Sequence, residues 1–252
     1  MLRLNAEAVP FFLTAATLPA ALADLTARDA RLARIVAGYG PPPLWAREPG
    51  FPTLLRIILE QQVSLASAQA AFDRLLAVAS PLTPERFLEL DDAALKTAGF
   101  SRQKTRYGRE LAGAILSGSL DLEALDALDD EAVRAALTKV VGIGRWTADI
   151  YLLMALCRPD AWPAGDLALA TAARHALGLA ATPGTAELEA IGEAWRPWRA
   201  VAARVLWHFY LNGGNRKNAL DVHASERSTS GENGDLRVVR ARPRPVPESG
   251  AS

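Results

Sequence analysis

Two glycines one residue apart, Gly142 and Gly144, separate an apolar run, Ala132 to Val141, from a second one, Thr147 to Leu156. The pattern points to two helices joined by a hairpin, spanning 132–156, too tight for side chains at either glycine. Glycine reaches positive φ at little cost and lets a second backbone come close. The N–H groups around Gly142, Ile143, Gly144, Arg145 and Thr147 lie at the start of a helix and lack helical partners, which makes them an anion site. A phosphate of a DNA strand fits there without any base being read. Taken alone, a Gly-x-Gly between helices serves equally well as a plain turn.

Asp166 changes that balance. It stands twenty-two residues after Gly144, behind Pro163-Ala164-Gly165, and opens another apolar helix, Leu167 to Leu179. This is the pattern of a helix N-cap. It also sets a carboxylate at the mouth of the cleft beside the hairpin. The bland reading of Asp166 is a cap and nothing more.

Nearly all of 20–213 reads as helix, so the expected class is all-α. Half the residues are apolar, and 252 residues suffice for a substantial core. Helices are expected at Asp24–Ala37, Phe51–Leu59, Ser64–Val78, Ser101–Leu116, Asp129–Val140, Thr185–Ala194 and Pro197–Leu211, with a short one from Asp91-Asp92 to Gly99. Gly40-Pro41-Pro42-Pro43 is a rigid connector. β-alternation is confined to Leu2–Val9 and Leu236–Val239. The composition divides the chain into a helical domain, 1–212, and a polar tail, 213–252, expected to be disordered.

The formal net charge is zero, so no global field advertises a nucleic-acid partner. Affinity would have to come from local clusters: Arg102, Lys104, Arg106 and Arg109, and Lys139 with Arg145. The single cysteine, Cys157, excludes both a disulfide framework and a four-cysteine iron–sulfur cluster. No stretch is apolar enough to span a membrane. Phe11–Ala23 has the look of an export signal, but Glu7, Pro10 and Pro19 argue against it. The expected location is therefore cytoplasmic, with DNA. His175, His208 and His223 have no metal-ligand spacing.

The hairpin and Asp166 together resemble the helix-hairpin-helix DNA glycosylase superfamily. Three further motifs carry the resemblance. Phe51–Ser64 ends in Gln61-Gln62-Val63-Ser64, like the family's first core helix. Gly99-Phe100-Ser101-x-x-Lys104 resembles its second small-residue turn, and Trp195-x-Pro197-Trp198-Arg199 resembles the 3-methyladenine DNA glycosylase II branch. Together they cover roughly residues 20–213. About fifty residues precede the first core helix, so the resemblance is to a compact form without the N-terminal β-rich domain of longer relatives.

The resemblance implies a two-lobed helical fold with its active site in the cleft between lobes. It implies a monomer acting on double-stranded DNA that contains damaged bases, in base excision repair. The activity would be excision of alkylated purines by base flipping and hydrolysis of the N-glycosidic bond. Asp166 would be catalytic and Gln62 the plug in the vacated stack. Trp146, Trp198 and Tyr151 would line the base pocket, where aromatic faces attract a cationic base. A Na+ or K+ ion would sit on the backbone carbonyls of Thr138, Val140 and Ile143, with no other cofactor. Bifunctional relatives carry a Schiff-base lysine where this chain has Trp146, so strand cleavage is not expected. The remaining readings are a non-catalytic helix-hairpin-helix DNA-binding protein and a glycosylase for other damaged bases.

Overall fold

Asp29 breaks what the apolar spacing reads as one helix, Asp24–Ala37. In the computed structural model, which describes residues 12–214, α1 (Leu18–Arg28) ends there and α2 (Ala30–Tyr39) begins. The Asp29 carboxylate caps α2 through Arg31 N at 2.9 Å and pairs with the Arg31 guanidinium at 2.7 Å. It also accepts the Trp195 indole N–H at 2.9 Å, from a segment far along the chain. A helical period cannot show such a corner, because the apolar positions continue on either side of it. Within the stretch weighed as an export signal, Phe11–Ala23, the side chains of Leu13, Leu18, Ala21 and Leu22 are buried while Phe12 is exposed. No described helix is long and apolar enough to cross a membrane.

The rest of the helices fall into two packed sets. In the first, α3 (Phe51–Glu60), α4 (Leu65–Val78), α5 (Pro84–Glu89), α6 (Asp92–Ala98) and α7 (Arg102–Leu116) pack on one another. The hairpin helices α8 (Asp130–Leu137) and α9 (Arg145–Met154) join them, α9 lying against α3. In the second, α10 (Leu167–Leu177), α11 (Thr185–Gly192) and α12 (Arg199–Phe209) pack with α1 and α2. Among the described residues there is no strand. The all-α expectation holds. The expected strands at Leu2–Val9 and Leu236–Val239, and nearly all of the 213–252 tail, lie outside the described residues.

Gly108 shows how tightly the first set is packed: a Cβ there would meet the Phe87 ring at 2.6 Å. The missed helix α5 supplies that phenylalanine. At six residues it is too short for periodicity to reveal, though Thr83 before Pro84 marks its start.

Buried polar ties hold α9 in place, and one of them crosses between the sets. Arg204 of α12 is wholly buried and donates to the carbonyls of Leu44, Ala200 and Leu153 at 2.7, 3.0 and 2.7 Å. Burial pushes its guanidinium down to about 10. The Tyr151 hydroxyl accepts Gly50 N at 3.0 Å, and burial pushes that phenol up to about 12. These ties fix α9 to the segment before α3 and to α12, and so set the walls of the space between the sets.

The Arg31 guanidinium holds the Asp29 carboxyl well below the usual carboxylate range, with the Trp195 indole adding to it. A carboxyl depressed on folding stabilises above its unfolded value, about 3.9, and that stabilisation is lost as pH falls towards the folded value. Asp29→Asn should therefore destabilise the protein by about 1–3 kcal/mol at neutral pH. Urea unfolding should show the deficit shrinking below about pH 4. A deficit of the same size at both pH values would contradict this role.

Candidate active site

The hairpin is held shut from inside. Arg134 of α8 donates to Asp149 of α9 at 2.6 Å, with both side chains buried. Burial raises the Asp149 carboxyl, and the bond to Arg134 opposes that rise. Arg145 reaches the same carboxylate at 3.6 Å and Glu189 at 3.5 Å. Arg145 is therefore already engaged by two acids. It is exposed, and a surface partner of this kind is exchanged for a phosphate at small cost.

The two glycines of the turn have different reasons to be glycine. Gly142 has φ +95°, and a Cβ built on it would lie 2.2 Å from the Tyr107 ring. Its lack of a side chain is demanded by the fold. Gly144 has φ −93° and nothing within 4 Å of a built Cβ. The fold places no demand on it. Its exposed backbone is left open for another molecule's approach. It is also the N-cap of α9 without any side-chain cap, so the first-turn N–H groups of Arg145, Trp146 and Thr147 remain available to an anion. Ile143 is buried, and its N–H is spent on Val140 O at 3.0 Å.

Asp166 caps α10, as its sequence context implies, and it does more. Oδ1 accepts Leu169 N at 2.7 Å and the Trp207 indole N–H at 3.0 Å. Oδ2 accepts the Trp146 indole N–H at 3.0 Å. A carboxylate offers about four lone-pair positions, so one remains, on Oδ2. Trp146 opens α9 in one helix set, whereas Asp166 and Trp207 belong to the other. The half-exposed carboxylate thus stands where the two sets meet, at a helix N-terminus that favours its charge. The arrangement can hold a fixed negative charge against a developing positive one and accept one further proton or hydrogen bond.

The turn between α3 and α4 is strained and tied down. Gln62 is exposed and has φ 57°, in the left-handed region that a side chain avoids. Such a conformation persists where neighbours enforce it. Gln61 Nε2 donates to Gly142 O at 2.9 Å and to Thr147 Oγ1 at 3.0 Å, so the turn is bolted to the hairpin. Lys104 donates to Leu59 O at 2.6 Å from α7, and Ser64 caps α4. Gln61 was legible in sequence only as a helix cap.

Other expected site residues lie elsewhere. Tyr151 is a correction: it is 0% exposed, so it cannot face a base, and its hydroxyl is spent on Gly50. Trp198 directs its indole N–H to Asp24 of α1 at 2.7 Å. Trp207, which sequence reasoning missed, is the α12 tryptophan that reaches Asp166. Nine residues separate it from Trp198, which at helical pitch is close to half a turn around the helix. Thr147 has a buried side chain turned to Gln61, leaving its N–H for the anion site. The basic cluster on α7 is largely spent: Lys104 is desolvated against Leu59 O, Arg109 pairs with Asp92 at 2.7 Å and Arg106 with Glu110 at 3.8 Å.

Thr138, Val140 and Ile143 stand in sequence around the turn. Of their carbonyls, Val140 O takes the Ile143 N–H, while Thr138 O and Ile143 O accept none of the turn's hydrogen bonds. Neutral oxygens with lone pairs to spare fit a hard monovalent cation.

Comparison with known proteins bears on the family and the fold. The family described as "HhH-GPD superfamily base excision DNA repair protein" matches residues 55–197. DNA-3-methyladenine glycosylase 1 of Schizosaccharomyces pombe is 30% identical over 181 residues, 70% of this chain and 79% of that protein. A solved structure of 3-methyladenine DNA glycosylase from the same yeast, in complex with abasic DNA, superposes with a TM-score of 0.72 at 28% identity. That match covers 79% of this chain and 100% of the other. DNA-3-methyladenine glycosidase from Bacillus halodurans gives 0.67 at 29% identity, covering 81% and 95%.

The unequal glycines separate two effects in one experiment. Gly144→Leu should leave stability within about 0.5 kcal/mol and weaken duplex binding roughly ten-fold, for lesion and undamaged DNA alike. Gly142→Ala should instead lower stability by about 2 kcal/mol or more, through φ and the Tyr107 ring. Paired melting and fluorescence-anisotropy titrations measure both. Normal DNA binding by a folded Gly144→Leu variant would remove the hairpin from the interface.

Proposed function

The chain belongs to the HhH-GPD superfamily of base excision DNA repair proteins, and from that membership we propose that it is a monofunctional DNA glycosylase that excises alkylated purines of the 3-methyladenine type. Its substrate is double-stranded DNA carrying the damaged base, and it acts as a monomer. The observation that carries this reading is the Asp166 carboxylate, held by two indoles and a helix N-terminus beside a hairpin with open N–H groups. A protein that only binds DNA has no use for a carboxylate aimed in this way.

The steps follow from the residues. Backbone N–H groups from Gly144 to Thr147 take a phosphate, with Arg145 released from Asp149 and Glu189 to join it. Charge is concentrated on one strand without reading sequence. Gln62, presented on its strained turn, fills the gap left when the damaged nucleotide is extruded. The base enters beside Trp146, whose ring attracts the positive charge of an alkylated purine. As the glycosidic bond breaks, the bonding pair leaves with the base and positive charge builds on the sugar. Asp166 stabilises that charge. The open lone pair on Oδ2 accepts a proton from the attacking water. The sugar gains a hydroxyl, and the strand stays whole.

A Na+ or K+ ion on the carbonyls of Thr138, Val140 and Ile143 would add positive charge at the phosphate anchor. Cleavage of the strand would need an amine at Trp146, and an indole cannot form a Schiff base.

Asp166→Asn should slow base release roughly a hundred-fold or more in single-turnover assays, while duplex affinity stays within a few-fold. The assay uses duplexes that each carry one lesion: 3-methyladenine, 7-methylguanine, hypoxanthine or 8-oxoguanine. Release confined to the last two would replace alkylated purines with another damage class, and near-normal turnover by the variant would remove Asp166 from the chemistry.

The product strand should break only after alkali or heat. Borohydride added during turnover should trap no covalent complex. Trapping at the rate of base release would overturn the monofunctional reading and make Lys139 and Lys104 the amines to substitute.

A further inference from the structure

We propose that Trp45, in the segment before α3, is a further wall of the base pocket, presenting its ring face and its free indole N–H to the extruded cationic purine. The inference rests on the reading of the chain as a glycosylase for alkylated purines. It adds a residue from outside the hairpin, α10 and α12.

Trp45 is half-buried and has φ 50°, in the left-handed region that a side chain avoids. Its neighbours enforce that conformation. Leu44 O accepts Arg204 Nε at 2.7 Å, and Arg47 N donates to Met154 O at 2.8 Å. The Arg47 guanidinium is itself held by both Glu60 oxygens, at 2.9 and 3.0 Å. The chain is thus fastened on either side of the strained residue. A glycine or an asparagine would adopt this backbone more easily, so an indole here calls for a use of its ring.

The ring is placed by α12. Arg204 reaches from α12 to Leu153 O of the other helix set at 2.7 Å. Trp207 and His208 follow it by three and four residues, so the three share one face of the helix. Trp207 leads to Asp166, and the His208 ring lies 6.3 Å from that of Trp45. Because Trp207 and His208 occupy the same turn of α12, Trp45 stands at the level of the carboxylate, where α12 looks towards the other set. His208 is fixed in turn: its Nε2–H donates to Tyr39 O at 2.9 Å, and Asn212 Nδ2 donates to its carbonyl at 2.8 Å.

The indole N–H sets Trp45 apart from the other tryptophans. Of the six in the chain, five donate to a carboxylate or a main-chain carbonyl. Trp45 meets no acceptor among the described residues. A half-buried ring with a free donor can stack on a purine and bond an acceptor at its edge. A purine methylated at N3 or N7 of its nucleoside carries a positive charge, which an indole face attracts. Trp146 offers one such face from α9, and Trp45 offers a second from the segment before α3.

The test compares two duplexes, one carrying 7-methylguanine and the other its neutral isostere 7-methyl-7-deazaguanine. Both carry a 2′-fluorine that blocks cleavage of the glycosidic bond. Anisotropy titration should show the wild-type protein favouring the cationic duplex. In Trp45→Leu that preference should shrink roughly five-fold, while affinity for undamaged duplex stays within about two-fold. Trp45→Phe should retain part of the preference, since an aromatic face remains. An unchanged preference in a folded Trp45→Leu variant would overturn the proposal, as would an equal loss on all three duplexes, the mark of a packing defect. A second measurement uses the wild-type protein labelled with 15N-tryptophan. The indole resonance that is missing from the Trp45→Phe spectrum should move when the 7-methylguanine duplex binds and stay in place with undamaged duplex. A Trp45 resonance that stays in place with both, while that of Trp146 moves, would exclude Trp45 from the pocket. No preference for the cation in the wild-type protein would defeat the alkylated-purine reading itself.

Discussion

Three N–H groups converge on one carboxylate, and the organisation of the molecule can be read outward from them. Asp166 accepts from Leu169 in its own helix, from Trp146 at the head of α9 and from Trp207 in the last turn of α12. A charge placed between two helix sets would be costly without donors. Here the donors hold it pointed and half-open. Each donor depends on other contacts. Trp146 is placed by the hairpin, which is closed by Arg134 and Asp149. Trp207 is placed by α12, which Arg204 ties to the Leu44 and Leu153 carbonyls. The buried Arg204 and Tyr151 thus act on the site from a distance, by fixing the walls that carry the two indoles.

The hairpin turn and the Gln62 turn, proposed above as anchor and plug, are coupled in the same way. Gln61 joins the turn that presents Gln62 to the carbonyl of Gly142 and the hydroxyl of Thr147. The uncapped N–H groups of the hairpin and the strained glutamine therefore keep one fixed spacing. Removing a nucleotide from the stack requires that spacing, because the plug must enter the gap while the backbone is held. Strain at Gln62 is the local consequence of a turn fastened at Gln61 on one side and capped by Ser64 on the other.

Much of this was legible in sequence where the signal is local. Gly142-x-Gly144 announces a hairpin, and Asp166 after Pro-Ala-Gly announces a cap, because both are decided by neighbouring residues. What depends on distant partners was not legible. The Asp29 corner is stabilised by Trp195, which no periodicity reveals. Tyr151 follows the hairpin closely enough to suggest a pocket, yet it sits on the buried face of α9. The α7 basic cluster reads as free charge because Asp92 and the Leu59 carbonyl, which occupy Arg109 and Lys104, come from other positions in the fold; only the Arg106–Glu110 pair, one turn apart on α7 itself, is local. Trp207 lies within an almost continuously buried helix, where one tryptophan looks like any other core residue until its N–H is traced.

In the proposed reaction the open hairpin and the triply held carboxylate act on one and the same nucleotide. A crystal structure of the protein with a duplex containing a cationic abasic analogue measures this directly. It should show a backbone phosphate on the N–H groups of 144–147, Gln62 in the vacated stack, and Asp166 Oδ2 within about 4 Å of the cationic centre, with both indole bonds to Asp166 kept. A complex in which the hairpin holds the phosphate while the cationic centre lies away from Asp166, against other side chains, would contradict it.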